Sequence, residues 1–546
     1  MLVLDISKLK KYYGDRLILD IKDLKIYRED KVGIVGLNGS GKTTLLNLIS
    51  KDVLPDEGFI RTFGNISYIK QLEYGNAEIA HGKYISEFGL KGKSKSYMSG
   101  GELTRLKIAE AFSKDCSLLL ADEPTSNLDL DGINMLLEKL LNFDNALLIV
   151  SHDRDLLDRV CNKILEIEDG HVKLYDGNYS DYKEQKELER KTKELEYEKY
   201  IKEKSRLERA IIETKNKSRS IKKTPRRMGI SEARLHKMGN QSAKRSLEKK
   251  AKAIQSRLEK LEVKEKVKDL EKVRVDILGD EIHTKILIEG QDINKSFGKR
   301  TLFKKGNFQI YNGSKTALIG DNGSGKTTLL NMIMNEEKGI KISRKAKIGY
   351  FSQDLSILDE NKSIIENIME TSIYDETTIR IMLARLLFKR EDVYKKVKVL
   401  SGGERVKVSL AKILSSDFNM LILDEPTNYL DIYSIEAVEE ALLDYEGTIL
   451  FVSHDRRFID KIADNIIYIE NHRIKTFNGR LKELENRKNR PVDMDEKKLA
   501  EEKAILQYRL SEILGKLSMA DKDEDIEALD KEYKKILEKL KAINEN

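Results

Sequence analysis

Two nearly identical loops decide most of what this chain can become. The first reads Gly36-Leu-Asn38-Gly39-Ser40-Gly41-Lys42-Thr43, with Thr44 after it. The second reads Gly320-Asp-Asn322-Gly323-Ser324-Gly325-Lys326-Thr327, with Thr328 after it. A Gly-x-x-x-x-Gly-Lys-Thr loop between a strand and a helix is a phosphate cradle. Its glycines let backbone N–H groups wrap the anion, and the following helix directs its positive end there. Lys42 and Lys326 are placed to neutralise the β and γ phosphates, and Thr43 and Thr327 to offer hydroxyls to Mg²⁺. The chain is therefore expected to be α/β and to bind ATP with Mg²⁺ twice.

The loops are part of a longer repeat. Tyr13 and Phe297 each precede the first glycine of their loop by 23 residues. Short apolar runs such as Val32-Gly-Ile-Val35, Ser117-Leu-Leu-Leu120 and Ala146-Leu-Leu-Ile-Val150 read as buried parallel strands alternating with helices. Asp122 and Asp424 end apolar strands, where a carboxylate can approach Mg²⁺, and Glu123 and Glu425 follow them, where a carboxylate can polarise an attacking water. Acidic residues at such positions can also serve a helix N-terminus electrostatically. Ser99-Gly100-Gly101-Glu102 and Ser401-Gly402-Gly403-Glu404 open helical patterns ahead of those strands. Each combines a hydroxyl, flexible backbone donors and a helix N-terminus, a second kind of anion site.

Between the repeats the composition shifts to Glu, Lys, Arg and Leu. Leu247, Ala251, Ile254, Leu258 and Leu261 recur at spacings of four and three, a seam for a partner helix. Ser220 to Gly229, which contains Pro225, interrupts the pattern, so two long antiparallel helices joined at a tip are expected. The layout is 1–182 for the first ATPase domain, 183–276 for a basic helical-hairpin linker, 283–485 for the second ATPase domain and 490–546 for a C-terminal helical extension. From Lys215 to Arg245 there are eleven Lys or Arg residues and one acidic residue, Glu232. Such a run is either a solvated face or a phosphate-binding surface, and its place at a hairpin turn favours the second. With only Cys116 and Cys161 no disulfide framework forms, and no apolar run reaches the roughly 18 residues of a membrane span. A cytoplasmic protein is expected.

In both repeats the motifs resemble those of the ABC ATPases. That resemblance implies head-to-tail closure, with Lys42, Asp122 and Glu123 facing Ser401 across one ATP and Lys326, Asp424 and Glu425 facing Ser99 across the other. It implies Q-loop roles near Mg²⁺ for Gln71 and Gln353, D-loop roles for Asp129 and Asp431, and switch roles for His152 and His454. Tyr13 and Phe297 resemble adenine-stacking aromatics, although core packing would also suit them. Glu123, Glu425, His152 and His454 form the implied catalytic set. Thr43, Gln71, Asp122, Thr327, Gln353 and Asp424 form the implied metal set.

The long charged linker, without any membrane segment, resembles the ABC-F family, and its Pro225-Arg-Arg-Met sequence resembles the antibiotic-resistance members. That resemblance implies ribosome protection: a cytoplasmic monomer that enters the exit tRNA site of the bacterial 70S ribosome with ATP, contacts 23S rRNA and the peptidyl-site tRNA, and leaves after hydrolysis. The implied tip residues are Lys222, Lys223, Arg226, Arg227, Met228, Arg234, His236 and Lys237. Gln71 to Ser99 spans 28 residues against 48 from Gln353 to Ser401. The first helical subdomain is therefore short, and the resemblance implies that the first half lacks the added arm of housekeeping translation factors in the family. Such a factor acting without drug, a transporter ATPase subunit and a repair-type nucleic-acid ATPase are the other readings.

Overall fold

The computed structural model describes residues 1–71, 82–88, 90, 98, 100–220, 230–264, 284–298, 300–352, 355, 357–489 and 536. Side chains of 82, 83, 85, 230–241, 488 and 489 are not among the described groups.

The first half runs β1 (Leu2–Tyr13), β2 (Arg16–Tyr27), β3 (Lys31–Val35), α1 (Lys42–Ile49), β4 (Glu57–Thr62), β5 (Ile66–Ile69), α2 (Gly82–Glu87), α3 (Gly100–Ser113), β6 (Leu118–Asp122), α4 (Leu130–Leu141), β7 (Ala146–Val150), α5 (Arg154–Val160), β8 (Lys163–Glu168) and β9 (His171–Asp176). These strands form one sheet in the order β4-β1-β2-β9-β8-β3-β7-β6-β5. β8, β3, β7, β6 and β5 are parallel neighbours. β6 and β7 are buried along their whole length, which explains their unbroken apolar sequence. One face packs under Leu45, Leu46, Leu48 and Ile49 of α1, the other under Leu136, Leu140, Leu156 and Leu157 of α4 and α5.

Helix α6 (Tyr179–Ser220) is 42 residues long and α7 (Ile230–Glu259) is 30. They pack on each other. Leu207, Ile211, Thr214 and Ser218 are the buried positions in the distal part of α6, at spacings of four and three. Ala251 is buried, and Leu247, Ile254 and Leu258 of α7 are less exposed than their neighbours. The expected seam is therefore the packed face. At 1.5 Å per residue α6 is about 60 Å long. The implied tip residues Lys222, Lys223, Arg226, Arg227 and Met228 lie outside the described residues, as do the side chains of Arg234, His236 and Lys237.

The second half repeats the plan with β10 (Ile286–Phe297), β11 (Arg300–Tyr311), β12 (Lys315–Gly320), α8 (Lys326–Met334), β13 (Ile340–Ile342), β14 (Ile348–Phe351), α9 (Ile364–Met369), α10 (Glu376–Arg385), α11 (Gly402–Leu414), β15 (Met420–Asp424), α12 (Ile432–Asp444), β16 (Thr448–Val452), α13 (Arg456–Ile462), β17 (Asn465–Glu470) and β18 (Arg473–Asn478). Here the antiparallel layer β11-β10-β13 is separate from the sheet β14-β15-β16-β12-β17-β18. The extra sequence before Ser401 forms α9 and α10, the first started by a Ser363–Glu366 capping box. Residues 1–476 form one compact unit and 477–546 another. In the latter, α14 (Leu481–Asn489) is described and residues 490–546, save Ile536, lie outside the described set. No described helix is long and apolar enough to cross a membrane.

Candidate active sites

Both phosphate loops sit at the C-terminal ends of parallel strands, β3 and β12, where open α/β sheets bind ligands. Gly41 and Gly325 take φ of +103° and +105° at the N-caps of α1 and α8. A Cβ at Gly41 would lie 2.9 Å from Ile18, and one at Gly325 2.7 Å from Phe303. Lys42 Nζ donates to the carbonyls of Gly36 and Leu37 at 2.8 and 3.0 Å, and Lys326 Nζ to those of Gly320 and Asp321 at 2.7 and 3.3 Å. Burial lowers the pKa of both lysines.

Asp122 and Asp424 accept hydrogen bonds from Thr43 and Thr327, which brings the two oxygen types expected around Mg²⁺ together in each half. Burial raises Asp122 to about 6, and Asp424 in the same direction. Among the described residues no three His, Cys, Asp or Glu side chains converge as a metal cage. One carboxylate with one hydroxyl suits Mg²⁺, which takes its remaining ligands from phosphates and water. Ser40 Oγ, Ser324 Oγ and Asp424 Oδ1 are buried without a hydrogen-bond partner among the described residues. Buried polar atoms of this kind require partners, and phosphate oxygens and a hydrated cation fit them.

Glu123 and Glu425 share an unusual backbone, with φ of +48° and +54°. Left-handed non-glycine residues cost about 1–3 kcal/mol and persist where the surroundings impose them. Here the Glu123 N–H donates to Val150 O at 2.9 Å and the Glu425 N–H to Val452 O at 3.0 Å. The twist brings Glu123 Oε1 within 3.1 Å of His152 Nε2, and Glu425 Oε1 within 3.2 Å of His454 Nε2. Burial lowers both histidines to about 4, so each imidazole is neutral at pH 7. Burial raises both glutamates to about 7, into the range of a general base at physiological pH.

The two halves meet head to tail. The Asn38 N–H donates to Asp431 Oδ2 at 2.8 Å, and its side-chain amide to Tyr429 O at 2.9 Å. The mirror contacts are Asn322 N–H to Asp129 Oδ2 at 3.2 Å and Asn322 amide to Asn127 O at 2.9 Å. Each aspartate is also the N-cap of its helix, α4 or α12. A cavity of about 1790 Å³ is lined from both halves, by Gly39, Gly101, Asp122, Lys326, Gly403 and Asp424 among others.

Ser401 caps α11 in a capping box with Glu404, so its hydroxyl already donates to Glu404 at 2.7 Å. The four-residue spacing of Ser-Gly-Gly-Glu carries that signal. Ser99 and Gln353 lie outside the described residues; Gly100, Gly101, Gly402, Gly403 and Gln71 line the cavity. Tyr13 is 53% exposed and Phe297 58%, so neither is a core residue, and Phe297 borders the cavity. Nothing in the sequence marks Asn38 and Asn322 as reaching across the closure, since an asparagine in a phosphate loop announces no distant partner.

Glycine is needed at the second signature position. A Cβ on Gly101 would lie 2.7 Å from Asn127 O and 3.0 Å from Asn322 Nδ2; one on Gly403 would lie 2.6 Å from Tyr429 O and 3.2 Å from Asn38 Nδ2. A backbone carbonyl cannot swing aside. Gly101→Ala and Gly403→Ala are each expected to displace the closure and cut kcat for ATP by about 10²-fold at an unchanged thermal midpoint. An unchanged kcat would show that the closure tolerates the shift.

The comparisons with known proteins agree with this geometry. The ABC transporter domain model matches residues 19–126 and 303–428. The ribosome protection protein VmlR of Bacillus subtilis (strain 168) is 33% identical over 544 residues, covering 97% of this chain and 96% of that protein. The erythromycin resistance ATP-binding protein MsrA of Staphylococcus epidermidis is 36% identical over 465 residues, 82% of this chain and 93% of that one. A solved complex of an archaeal ribosomal stalk protein with the archaeal ribosome recycling factor aABCE1 has TM-score 0.58 at 20% identity, over 88% of this chain and 91% of that one, a likeness of fold. With the ABC match in each half and a relative aligned along nearly the whole length, the chain is an ATP hydrolase of the ABC-F family.

Proposed function

We propose that this ATPase binds the bacterial ribosome and protects its large subunit from antibiotics bound near the peptidyl-transferase centre. In this reading ATP closes the two composite sites and the linker enters from the exit tRNA site, against 23S rRNA and the peptidyl-site tRNA. Hydrolysis then releases it. Lys42, Lys326 and the loop glycines hold the phosphates, while Thr43, Asp122, Thr327 and Asp424 hold Mg²⁺. Glu123 and Glu425 take the proton of the attacking water, and His152 and His454 hold those carboxylates in place. Bound ATP would supply the phosphoryl group, and Mg²⁺ would neutralise the negative charge that develops as it is transferred.

The observation that carries the proposal is the basic run at 215–245, eleven cations to one acid, at the junction of two packed helices as long as α6 and α7. A surface of that kind matches a polyanion. Similarity to VmlR and MsrA along most of each chain supports the ribosome as that polyanion and drug protection as the outcome.

The test is co-sedimentation. The double variant Glu123→Gln, Glu425→Gln is expected to pellet with 70S ribosomes in ATP and to be released by salt, since each Lys or Arg contact to phosphate adds about 0.7–0.9 to the log–log slope. A variant that stays in the supernatant would refute ribosome binding. Removing 221–229 is expected to abolish drug tolerance in a sensitive host while ribosome binding persists. Unchanged tolerance would favour a translation factor that acts without drug.

A further inference from the structure

The two halves are not equivalent around the root of the linker. Aligned on the N-cap aspartates, Tyr433, Glu436 and Glu439 of α12 correspond to Asp131, Asn134 and Leu137 of α4. The α12 residues recur every three positions, one helical face.

Each α12 residue reaches the first half or the linker. Tyr433 OH lies 2.7 Å from Tyr182 OH and donates to Glu166 Oε1 at 3.0 Å. Glu436 accepts from Tyr179 OH at 3.0 Å and from Lys183 Nζ at 2.7 Å. Glu439, fully buried, pairs with Arg154, which lies two residues after His152. On α4, Asn134 accepts from Arg456 at 2.9 Å, and Leu137 offers no polar group.

The N-cap of α12 is Asp431, which holds Asn38 of the first phosphate loop. One helix thus touches the composite site of Lys42 at two places, Asn38 and the segment after His152. Between those places it grips the first turns of α6. The root also keeps bonds inside the first half: Tyr182 OH to Glu166 at 2.7 Å, Lys186 to Glu166 at 2.8 Å and Ser180 N to Asp158 at 2.7 Å. Separation of the halves would leave these intact and break those to Tyr433 and Glu436.

We infer that α12 makes the linker answer chiefly to one ATP site: closure of the Lys42 site adds Tyr433 and Glu436 to the root of α6 and fixes its direction, whereas among the described residues the Lys326 side offers the root only the longer contact of Arg457, three residues after His454, to Ser180 Oγ at 3.4 Å and over the Tyr179 ring. Tyr433 and Glu436 are positioning residues in this scheme. It requires ATP-driven closure but no ribosome, so it stands or falls separately from ribosome binding.

Distances between spin labels test it. Cys116 and Cys161 are buried, so exposed cysteines introduced at Leu195 on α6, Lys389 in the second half and Lys22 in the first label selectively. In the Glu123→Gln, Glu425→Gln background, ATP is expected to narrow both the 195–389 and the 22–389 distributions. Adding Tyr433→Phe and Glu436→Gln should abolish the narrowing at 195–389 and preserve it at 22–389. Retained narrowing at 195–389 overturns the inference. A second comparison needs no change at the root. With ATP turning over, Glu123→Gln alone should hold the 195–389 distance narrow and Glu425→Gln alone should not. Equal behaviour of these two overturns the one-sided connection.

Discussion

Replacing Glu123 and Glu425 together by glutamine is expected to lower kcat for ATP by about 10²–10⁴-fold, the range for loss of a general base, with ATP still bound. Glutamine keeps the size and the contact with the histidine but cannot take a proton from water. The same residues set a pH dependence. Burial has raised both to about 7, so in the free enzyme the basic form is depleted as pH falls through that value. kcat/KM for ATP should therefore rise with pH between 6 and 8, and the double variant should lose that limb. A parent profile flat across this interval would rule the two glutamates out as the titrating bases. The stability term has the opposite sense. A raised carboxyl favours the folded state below its ordinary pKa, and that contribution disappears as pH rises through about 7.

Arg154→Ala should be the most destabilising single change at the contact between halves, by about 3–5 kcal/mol, the cost of removing one partner from a buried ion pair. Arg154 lies between Glu439 and Asp455; Arg154 and Glu439 are buried and the Asp455 side chain is 10% exposed. Lys461 still reaches Glu439 at 2.7 Å in its absence, but nothing described replaces Arg154 at Asp455, which burial already raises and Arg154 lowers. Asp153, raised to about 6 by burial and by Asp455, adds a third carboxylate. With the cation gone, these groups favour protonation more strongly. The deficit should thus be greatest at neutral pH and shrink as pH falls through about 6. Urea unfolding at pH 7.5 and 5.5 measures both. A loss below about 1 kcal/mol, typical of an exposed pair, would mean that water reaches the cluster.

Much of the architecture can be read from local sequence because local sequence causes it. The phosphate loops, the buried parallel strands and the α7 seam each depend on residue type at short spacing, and each occupies the expected place. The Ser401–Glu404 capping box is an addition to the expected anion site, although Ser-x-x-Glu ahead of a helix carries that signal. Other features arise only in three dimensions. Arg154 and Glu439 are 285 positions apart, Tyr182 and Tyr433 251 apart, and no periodicity links them. The left-handed backbone of Glu123 and Glu425 was equally hidden, because glycine is the residue that advertises such a conformation. Asn38 and Asn322 were visible as loop residues, but not as the groups that bridge the halves.

Those bridges have a kinetic meaning as well. Asn38 with Asp431 and Asn322 with Asp129 are partners carried on one polypeptide, so their encounter is governed by an effective concentration that the intervening chain sets. Closure is then a first-order event, indifferent to dilution. Two half-chains made separately would have to find each other by diffusion, and their activity would fade at the low concentrations where the joined protein still works. Fusing the halves exchanges a bimolecular search for an internal rearrangement, which lets a scarce protein respond to ATP alone.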